Sequence, residues 1–261
     1  EVSHGPTLID HNICLSKLSM KLASQGCAVV HNLCLGPMSS IGSGSDMPLK
    51  NGTMAPRYTP YHIPHRTEVA GMMTFLHGDD RVYNIFIQNW PVKPEEVKED
   101  MGFIMIDNQV QGTGVFDDFP TYDEWIVPFE PDNPEPNMFV MQDYHFGKLP
   151  VWINGNAYFN GAVAFKKEAD HFINTDDKVY VNLVEKDGQY TLQTNVYEVL
   201  GNYTTSIIDS DVLGEAFEPE ERFENPDGST IIFDRDYFGN HRSLKAVPGP
   251  FATAEAATWN L

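Results

Sequence analysis

Residues 11–19 read HNICLSKLS and residues 31–39 read HNLCLGPMS, so the pattern H-N-apolar-C-L-x-x-x-S occurs twice, twenty positions apart. A solenoid needs at least three stacked repeats, and two copies fall short of that number. We therefore interpret the two segments as strands that place similar side chains in similar settings. The apolar run at 28–30, which leads into the second copy, also favours a strand there.

Turn signals flanked by β-branched and aromatic residues occur at three further places in the chain. They are Gly78-Asp79-Asp80 between residues 67–77 and 81–90, Asn154-Gly155-Asn156 between 151–153 and 157–165, and Asp187-Gly188 between 179–184 and 189–200. Asn-Gly and Asp-Gly favour the positive φ angles of type I′ turns, which join antiparallel strands. This rhythm predicts an all-β fold, mainly antiparallel, as a β-sandwich or β-barrel with long irregular loops and little helix.

The chain has 261 residues, a length that one large β domain can reach. We expect a single β-rich domain over residues 1–261. The alternative is a subdivision near residues 116–137, where five prolines discourage regular structure. Tyr122, Trp125 and Phe129 in that stretch favour a loop held against the domain, because flexible linkers carry few large apolar side chains.

The formal net charge is −20, and no cluster of basic residues is longer than Lys166-Lys167. Nucleic-acid binding depends on Lys and Arg replacing the counterions of the phosphate backbone. We therefore expect no nucleic-acid partner. No run of about 18 apolar residues is present, so we also expect no membrane span.

Two short patterns point to the outside of the cell. Asn51-Gly52-Thr53 and Asn202-Tyr203-Thr204 fit the acceptor pattern for N-glycosylation. The sequence starts at Glu1 rather than Met, which either a removed leader or a trimmed sequence would explain. We expect a secreted or extracellular glycoprotein.

The chain has three cysteines, Cys14, Cys27 and Cys34. One disulfide with one free thiol is an expectation for a secreted chain. Three buried thiols that act as small apolar side chains are the alternative. No C-x-x-C spacing is present, so we expect no structural zinc site on cysteines.

Residues 61–68, YHIPHRTE, form the densest polar segment. We take His65, Arg66 and Glu68 from it as candidate catalytic residues, able to act as base, cation and carboxylate. His62 and His65, together with His77, could instead hold a transition metal. The alternative to both is a loop whose histidines form hydrogen bonds with the backbone.

Residues 233–242, FDRDYFGNHR, offer a second candidate site. Asp234 and Asp236 are candidate metal ligands, because D-x-D-x-x-G-N supplies oxygen ligands and a Gly turn, as calcium loops do. The segment lacks the distal Glu of an EF-hand, so a calcium ion would be held by a partial loop. Tyr237 and His241 are candidate catalytic residues, a phenol and a base. The alternative is an ion-paired strand end.

Asparagines alternate with aromatic residues between positions 152 and 197. Sugars present hydroxyl edges that amides satisfy and apolar faces that aromatic rings cover, and binding pockets often combine the two. We take as candidate substrate-binding residues Trp152, Asn154, Asn156 and Tyr158. Ordinary strand aromatics with outward amides are the alternative.

These features lead us to expect an extracellular carbohydrate-active enzyme that cleaves a glycan by hydrolysis or elimination. The sequence contains no P-loop, no G-x-G-x-x-G behind a strand, no H-E-x-x-H and no G-x-S-x-G. The alternative function is a non-enzymatic β-barrel or β-sandwich protein that binds a small apolar ligand or a sugar.

The two cleavage reactions need different side chains. Hydrolysis would use two carboxylates, which we seek among Asp10, Glu68, Asp123 and Glu218. Elimination would use a base with a phenol, and an arginine to neutralise a uronate. The candidates for elimination are His65 or His241 with Tyr237, and Arg66 or Arg242.

Overall fold

The computed structural model describes residues 4–22, 24–39, 47–48, 54–55, 57–62, 68–75, 77–88, 112–129, 132, 148–252 and 258–261. The strands within these residues are β1 (Thr7–Asp10), β2 (Ile13–Cys14), β3 (Met20–Lys21), β4 (Cys27–Cys34), β5 (Met38–Ser39), β6 (Met47–Pro48), β7 (Met54–Ala55), β8 (Arg57–His62), β9 (Val69–Phe75), β10 (Arg81–Ile87), β11 (Trp152–Ile153), β12 (Asn156–Phe159), β13 (His171–Asn174), β14 (Val181–Lys186), β15 (Gln189–Thr194), β16 (Thr205–Ser206), β17 (Glu215–Ala216), β18 (Glu221–Arg222), β19 (Lys245–Ala246) and β20 (Thr258–Asn260). The α-helices are α1 (Tyr122–Ile126), α2 (Val196–Leu200) and α3 (Ser210–Leu213), and 3₁₀ turns cover Gly114–Phe116 and Val127–Phe129.

The main sheet contains seven strands in the order β1-β4-β10-β12-β13, with β2 beside β4 and β11 beside β10. Every pairing within it is parallel. All eight residues of β4 are buried, because β4 lies inside the sheet with packed layers on both faces. Strands buried on both faces read as continuous apolar runs, as CAVV does here.

The repeated pattern in the sequence marks two successive coils of the chain. Thr7 lies opposite Cys27 and Ile13 lies opposite Leu33, so each residue pairs with the one twenty positions later. β3 and β5 continue the stack as a further parallel pair. This is the arrangement of coils in a parallel β-helix. The prediction that the two copies are strands in similar settings is confirmed, and they stack on each other.

The first residues of the two copies, His11 and His31, turn the chain at the same corner of the coil. Both have left-handed backbone angles, with φ of 51° and 57°. Their rings contact each other with centroids 5.4 Å apart and planes inclined by 33°. Equivalent residues of the repeat therefore adopt one conformation and lie one above the other.

The prediction of a mainly antiparallel all-β sandwich or barrel is wrong. The main sheet is parallel, and α1 with both 3₁₀ turns lies in the connection between β10 and β11. In a coil, each strand pairs with the strand of the next coil rather than with its neighbour in sequence. The Gly and Asp residues that suggest hairpins therefore turn corners between coils instead of reversing the chain onto itself.

Two of the three expected hairpins do not form, because their strands pair in parallel with other strands. β10 follows Gly78-Asp79-Asp80 but pairs in parallel with β4, while β9 pairs with β8. A Cβ at Gly78 would lie 2.3 Å from the backbone oxygen of Leu149, so close chain approach requires glycine there. Similarly, β11 and β12 flank Gly155 but both pair in parallel with β10.

The third hairpin is confirmed. β14 and β15 pair antiparallel, with Lys186 opposite Gln189 around the turn Asp187-Gly188. Both turn residues have positive φ, 53° and 78°, as a type I′ turn requires. β20 adds a third antiparallel strand through Leu192 opposite Trp259.

The apolar core forms three clusters of buried side chains. The first contains Phe86 and Tyr158, stacked at 5.5 Å, and the second contains Tyr197 and Trp259. The third packs Phe223 and the residues around it against the outer side of β4. Apolar burial on both sides of the parallel sheet holds it in place. No helix in the described part of the chain is long and apolar enough to cross a membrane.

Candidate functional site

A cleft of about 410 Å³ opens beside β11, at the face of the parallel sheet. Its walls include the rings of Trp152 and Tyr122 together with the side chains of Asn154, Asp123 and Lys167. An amide, a carboxylate and an ammonium group thus surround two aromatic rings. Sites for small ligands commonly combine apolar walls with a few polar groups that orient the ligand.

The Arg81 guanidinium packs against the Trp152 ring and fixes its position. Register places Trp152 opposite Arg81, whose guanidinium carbon lies 4.3 Å from the centre of the Trp152 ring. The same guanidinium lies 4.9 Å from the centre of the Phe223 ring. Tyr122 stacks beside Trp152 with ring centres 6.2 Å apart and planes inclined by 29°. The two rings of the cleft are therefore preorganised.

Helix α1 carries Tyr122 and Asp123 into the cleft and is fixed by a capping box. The Thr121 hydroxyl accepts a hydrogen bond from the Glu124 backbone (3.3 Å), and the Glu124 carboxylate accepts one from the Thr121 backbone (2.9 Å). The Glu124 carboxylate also accepts from the Lys167 ammonium at 2.6 Å. The Lys167 hydrogen bond, with the capping bonds, lowers the pKa of Glu124. The helix is thereby tied to the opposite wall of the cleft.

Arg81 anchors a second segment, 213–217, to the sheet below the cleft. It donates hydrogen bonds to the backbone oxygens of Leu213 (2.8 Å) and Glu215 (2.6 Å), and it forms an ion pair with Asp79. The Asp79 carboxylate also accepts from the Phe217 backbone at 2.7 Å. Burial raises the pKa of Asp79 to about 6, although Arg81 opposes this shift. These residues are structural anchors of the cleft rather than groups open to a ligand.

Aromatic contacts join α1 to the glutamate-rich segment. Trp125 lies 4.9 Å from Phe129 and 4.8 Å, edge to face, from Phe217. Glu218 follows Phe217 and lines a neighbouring cavity of about 600 Å³. The candidate carboxylates Asp123 and Glu218 therefore belong to two segments that pack against each other.

Behind the cleft, four asparagines form a hydrogen-bonded row across the strands, here called the asparagine ladder: Asn12, Asn32, Asn84 and Asn156. The Asn12 amide donates to Asn32 Oδ1 at 2.9 Å, and the Asn32 amide donates to Asn84 Oδ1 at 2.8 Å. The Asn84 backbone then donates to Asn156 Oδ1 at 2.5 Å. Asn32, Asn84 and Asn156 are fully buried, so the ladder satisfies polar groups inside the fold.

The ladder ends on the buried carboxyl group of Glu168. The Asn156 amide donates to Glu168 Oε1 at 2.8 Å, and the Tyr158 hydroxyl donates to Oε2 at 2.6 Å. Thr113 lies 2.6 Å from the same hydroxyl. Burial raises the pKa of Glu168, while the hydrogen bonds from Tyr158 and Asn156 oppose the rise. Every one of these groups has a partner within the protein.

The four predicted substrate-binding residues thus fall into two pairs. Asn156 and Tyr158 are 0% exposed, and their polar groups are used by the ladder and Glu168, so the structure gives them an internal role. Trp152 and Asn154 line the cleft. The Asn154 side-chain oxygen accepts from the Asp170 backbone at 2.8 Å, which orients its amide group.

Of the two candidate metal ligands, Asp234 and Asp236, the second is hydrogen-bonded to the protein backbone. The Asp236 carboxylate accepts hydrogen bonds from the backbones of Phe238 (3.0 Å), Asn240 (2.8 Å) and Ala252 (3.0 Å). A carboxylate that accepts three backbone N–H groups pins a turn. The calcium loop at Asp234 and Asp236 stays a prediction.

The candidate catalytic residues Tyr237 and His241 lie at the same turn and do not line the cleft. Tyr237 packs edge to face on Phe238 at 5.1 Å. The exposed His241 ring lies 3.6 Å from the Asp234 carboxylate. A catalytic role for Tyr237 and His241 stays a prediction.

The histidine segment is described only in part. His65 and Arg66 lie outside the described residues, whereas Glu68 is exposed just before β9. His62 ends β8, and His77 is buried before β10. Across the described ranges, no group of three or more His, Cys, Asp or Glu residues is placed to hold a metal ion.

A wider groove of about 1,010 Å³ lies where the parallel strands end. It is lined by the residues that follow four neighbouring strands, Leu15, Leu35, Gln88 and Asn160. The Asn160 side chain holds the backbone of Val179 through two hydrogen bonds of 2.7 and 2.9 Å. This groove lacks the paired rings of the cleft, so the cleft is the stronger candidate for a binding site.

Sequence reasoning missed the anchors Arg81 and Asp79 and the role of Tyr122. Tyr122 and Trp125 carried a signal, because large aromatic side chains in a proline-rich stretch indicate a packed loop. Arg81 carried none, since apart from Asp79 its hydrogen-bond partners belong to a segment more than a hundred positions away in the chain.

Comparison with known proteins gives one informative likeness. No family model matches the chain, and no curated protein matches it. A solved structure of XylC in complex with xylose superimposes with a TM-score of 0.76 at 30% sequence identity. The likeness covers 100% of this chain and 36% of the XylC chain, so this chain spans about a third of that protein's length. The chain therefore has a sugar-related structural neighbour.

Proposed function

We propose that this chain binds a sugar in the cleft, with the sugar ring against Trp152 and Tyr122. The observation that carries this proposal is the pair of stacked rings bordered by an amide, a carboxylate and an ammonium group. Aromatic faces cover the apolar face of a sugar ring, while the polar groups form hydrogen bonds with its hydroxyls. The complex of XylC with xylose supports a pentose as the first sugar to test.

Three polar side chains would orient the bound sugar. The Asn154 oxygen already accepts from Asp170, so its NH₂ group is directed to donate to a sugar hydroxyl. The Asp123 carboxylate would accept from hydroxyls, and Lys167 would donate to them. Because Arg81 and the capping box hold the rings in place, little ordering of the protein is needed on binding.

A sugar titration tests the proposal. Xylose and xylose oligomers are titrated into the chain by calorimetry and by ligand-observed NMR, with wild type compared to Tyr122→Ala. Losing the ring should weaken binding at least about tenfold, or ~1.4 kcal/mol. Tyr190→Ala is the matched control, because Tyr190 is 46% exposed, like Tyr122 at 45%, and does not line the cleft.

Two outcomes would count against this site. Equal binding by wild type and Tyr122→Ala would remove the cleft from consideration. Binding that is lost in Gln88→Ala and kept in Tyr122→Ala would place the site in the wider groove at the ends of the parallel strands. An absence of binding to any sugar tested would contradict the proposed function itself.

Glycan cleavage is a second candidate function, favoured by the packing of Trp125 on Phe217. This contact joins the segment that carries Asp123 to the segment that carries Glu218, and glycoside hydrolysis uses two carboxyl groups, one as acid and one as base or nucleophile. Asp123 would be the carboxylate that meets the sugar. Chromogenic aryl xylosides of both anomers test this: Asp123→Asn and Glu218→Gln should each lower kcat by about 100-fold or more, with binding kept.

An extracellular location is part of the same proposal. Asn202, in the acceptor pattern Asn-Tyr-Thr, is exposed and follows helix α2, so a glycan could be attached there. Glycosidase treatment of the protein recovered from a eukaryotic secretion host, followed by mass spectrometry of the Asn202 peptide, tests this. An unmodified Asn202 would contradict it.

A further inference from the structure

The two cysteines of the repeated pattern lie side by side on neighbouring coils. Cys14 of β2 and Cys34 of β4 are direct partners in the parallel register, next to the pair Ile13 and Leu33. Adjacent strands are about 4.8 Å apart. A disulfide needs Cα atoms roughly 4.4–6.8 Å apart, so the backbone already meets this condition.

The two thiols contact each other and differ in their surroundings. The hydrogen bond between them lowers the pKa of Cys14 and raises the pKa of Cys34. Cys14 is partly exposed, and Cys34 is 1% exposed. The more exposed residue of the two therefore also carries the thiol that is more easily deprotonated, and the buried thiol lies next to it.

Cys27 has no cysteine opposite it and, unlike Cys14, is buried. It lies at the start of β4 opposite Thr7, and it is 1% exposed. Burial raises the pKa of the Cys27 thiol well above its ordinary value, and the nearby Asp80 and Asp79 carboxylates add to the rise. Cys27 is thus a natural internal control.

We propose that Cys14 and Cys34 form a disulfide that joins the first two coils when the protein meets an oxidant such as hydrogen peroxide. The Cys14 thiolate attacks the peroxide, which leaves a sulfenic acid and water after a proton is taken up. The Cys34 thiol then displaces a second water from that sulfenic sulfur to form the S–S bond. In total two thiols and one peroxide give one disulfide and two waters.

The bond would constrain the edge of the parallel sheet. It closes the chain across residues 15–33 and so removes conformations from the unfolded state. It also holds the two-residue strand β2 against β4, where only a short stretch of pairing does so now. Oxidation is therefore expected to stabilise the protein without changing its fold.

Peptide mapping of the full chain tests the inference. The reduced protein should react with three equivalents of a thiol reagent under denaturing conditions, and the peroxide-treated protein with one. Mass spectrometry should find the peptides of Cys14 and Cys34 linked, with Cys27 free. The melting temperature should rise by roughly 5 °C or more on oxidation and return on reduction.

Cysteine variants separate the pair from the control. Cys27→Ser should keep the cross-link, while Cys14→Ser, which changes a partly exposed residue, should lose both the link and the rise in melting temperature. A link that involves Cys27, a link between two molecules, or oxidation of Cys14 to a sulfinic acid without cross-linking would each overturn the inference. The wild-type peptide map gives this answer even where a variant fails to fold.

Discussion

The asparagine ladder and the aromatic cleft use the same side-chain types for different purposes. Asn156 and Asn154 are two positions apart, yet Asn156 is buried among hydrogen-bond partners and Asn154 faces the cleft. Every polar group of the ladder end is used within the protein, down to Glu168. In the cleft, amide, carboxylate and ammonium groups border two rings without being sealed from water.

This difference separates stability from recognition. A buried polar group must be satisfied internally, because leaving it unpaired costs roughly 1–3 kcal/mol. A polar group at the mouth of a cleft is satisfied by water and can exchange that water for a ligand hydroxyl. Substitutions in the ladder should therefore change the free energy of unfolding, and substitutions in the cleft should change affinity.

The largest expected effect is at the centre of the ladder. Asn84→Ala removes the acceptor of the Asn32 backbone and amide and leaves the Val29 oxygen without its donor. We expect the free energy of unfolding to fall by about 4 kcal/mol, measured by urea denaturation. Asn182→Ala, on the exposed face of β14, is the control and should change it by no more than about 0.5 kcal/mol. Equal losses would show that the ladder carries no special stability.

The next effect concerns pH and the anchor Asp79. Because its pKa is raised to about 6 from the ordinary 3.8, the folded state holds its proton more tightly than the unfolded chain does. This contribution to stability is fully present below about pH 4 and is lost as the pH rises to about 6. Across that window we expect the free energy of unfolding to fall by up to about 3 kcal/mol on this account.

Urea denaturation at several pH values measures this dependence. Asp79→Asn should make the fall from pH 4 to pH 6 shallower than in wild type, since the titrating group is gone. Asp187→Asn, in the exposed turn of the β14–β15 hairpin, should leave the slope unchanged. A slope that is identical in Asp79→Asn and wild type would assign the pH dependence to other groups.

A smaller effect tests the cleft side of the comparison directly. Asn154→Ala should weaken sugar binding about three- to tenfold, since one hydrogen bond is lost, while the free energy of unfolding falls by only ~1 kcal/mol through the lost bond from Asp170. Asn156→Ala is expected to do the reverse and to destabilise the fold first. Calorimetric titration and urea denaturation of both variants separate the two roles. The reverse result would assign sugar binding to Asn156 and the structural role to Asn154.

The smallest expected effect is at the rim of the cleft. Lys167→Ala breaks an ion pair with Glu124 that is open to solvent, and such pairs contribute about 0–1 kcal/mol. We expect no more than about 0.5 kcal/mol of lost stability and little dependence on salt after the change. Thermal unfolding in low and high salt measures it. A loss above about 2 kcal/mol would show that α1 depends on this pair.

Sequence patterns predicted local turns better than they predicted strand partners. Asp187-Gly188 forms the expected hairpin because a type I′ turn joins strands that are adjacent in sequence. At Asn154-Gly155 the same chemistry is present, with Gly155 at φ 67°, but both flanking strands find their partner in β10. Turn residues specify a backbone conformation, and the choice of partner depends on apolar packing between distant segments.

The sequence pattern also did not predict which side chains face the cleft and which are buried. Regular alternation would place Trp152, Asn154, Asn156 and Tyr158 on one face of a strand. The left-handed Gly155 breaks the strand after Ile153, so the first two residues face the cleft and the last two face the interior. Residue composition therefore indicated a sugar-like set of side chains but could not separate the exposed pair from the buried one.

By itself the sequence determined the β14–β15 turn and showed one pattern that recurs after twenty positions. Only the tertiary structure decided that the repeats stack in parallel, that Asn84 and Asn156 extend the ladder, and that Arg81 supports Trp152. The physical reason is the separation along the chain over which each interaction acts. Backbone preferences act over a few residues, whereas strand pairing, burial and buried hydrogen bonds join segments twenty to more than a hundred positions apart.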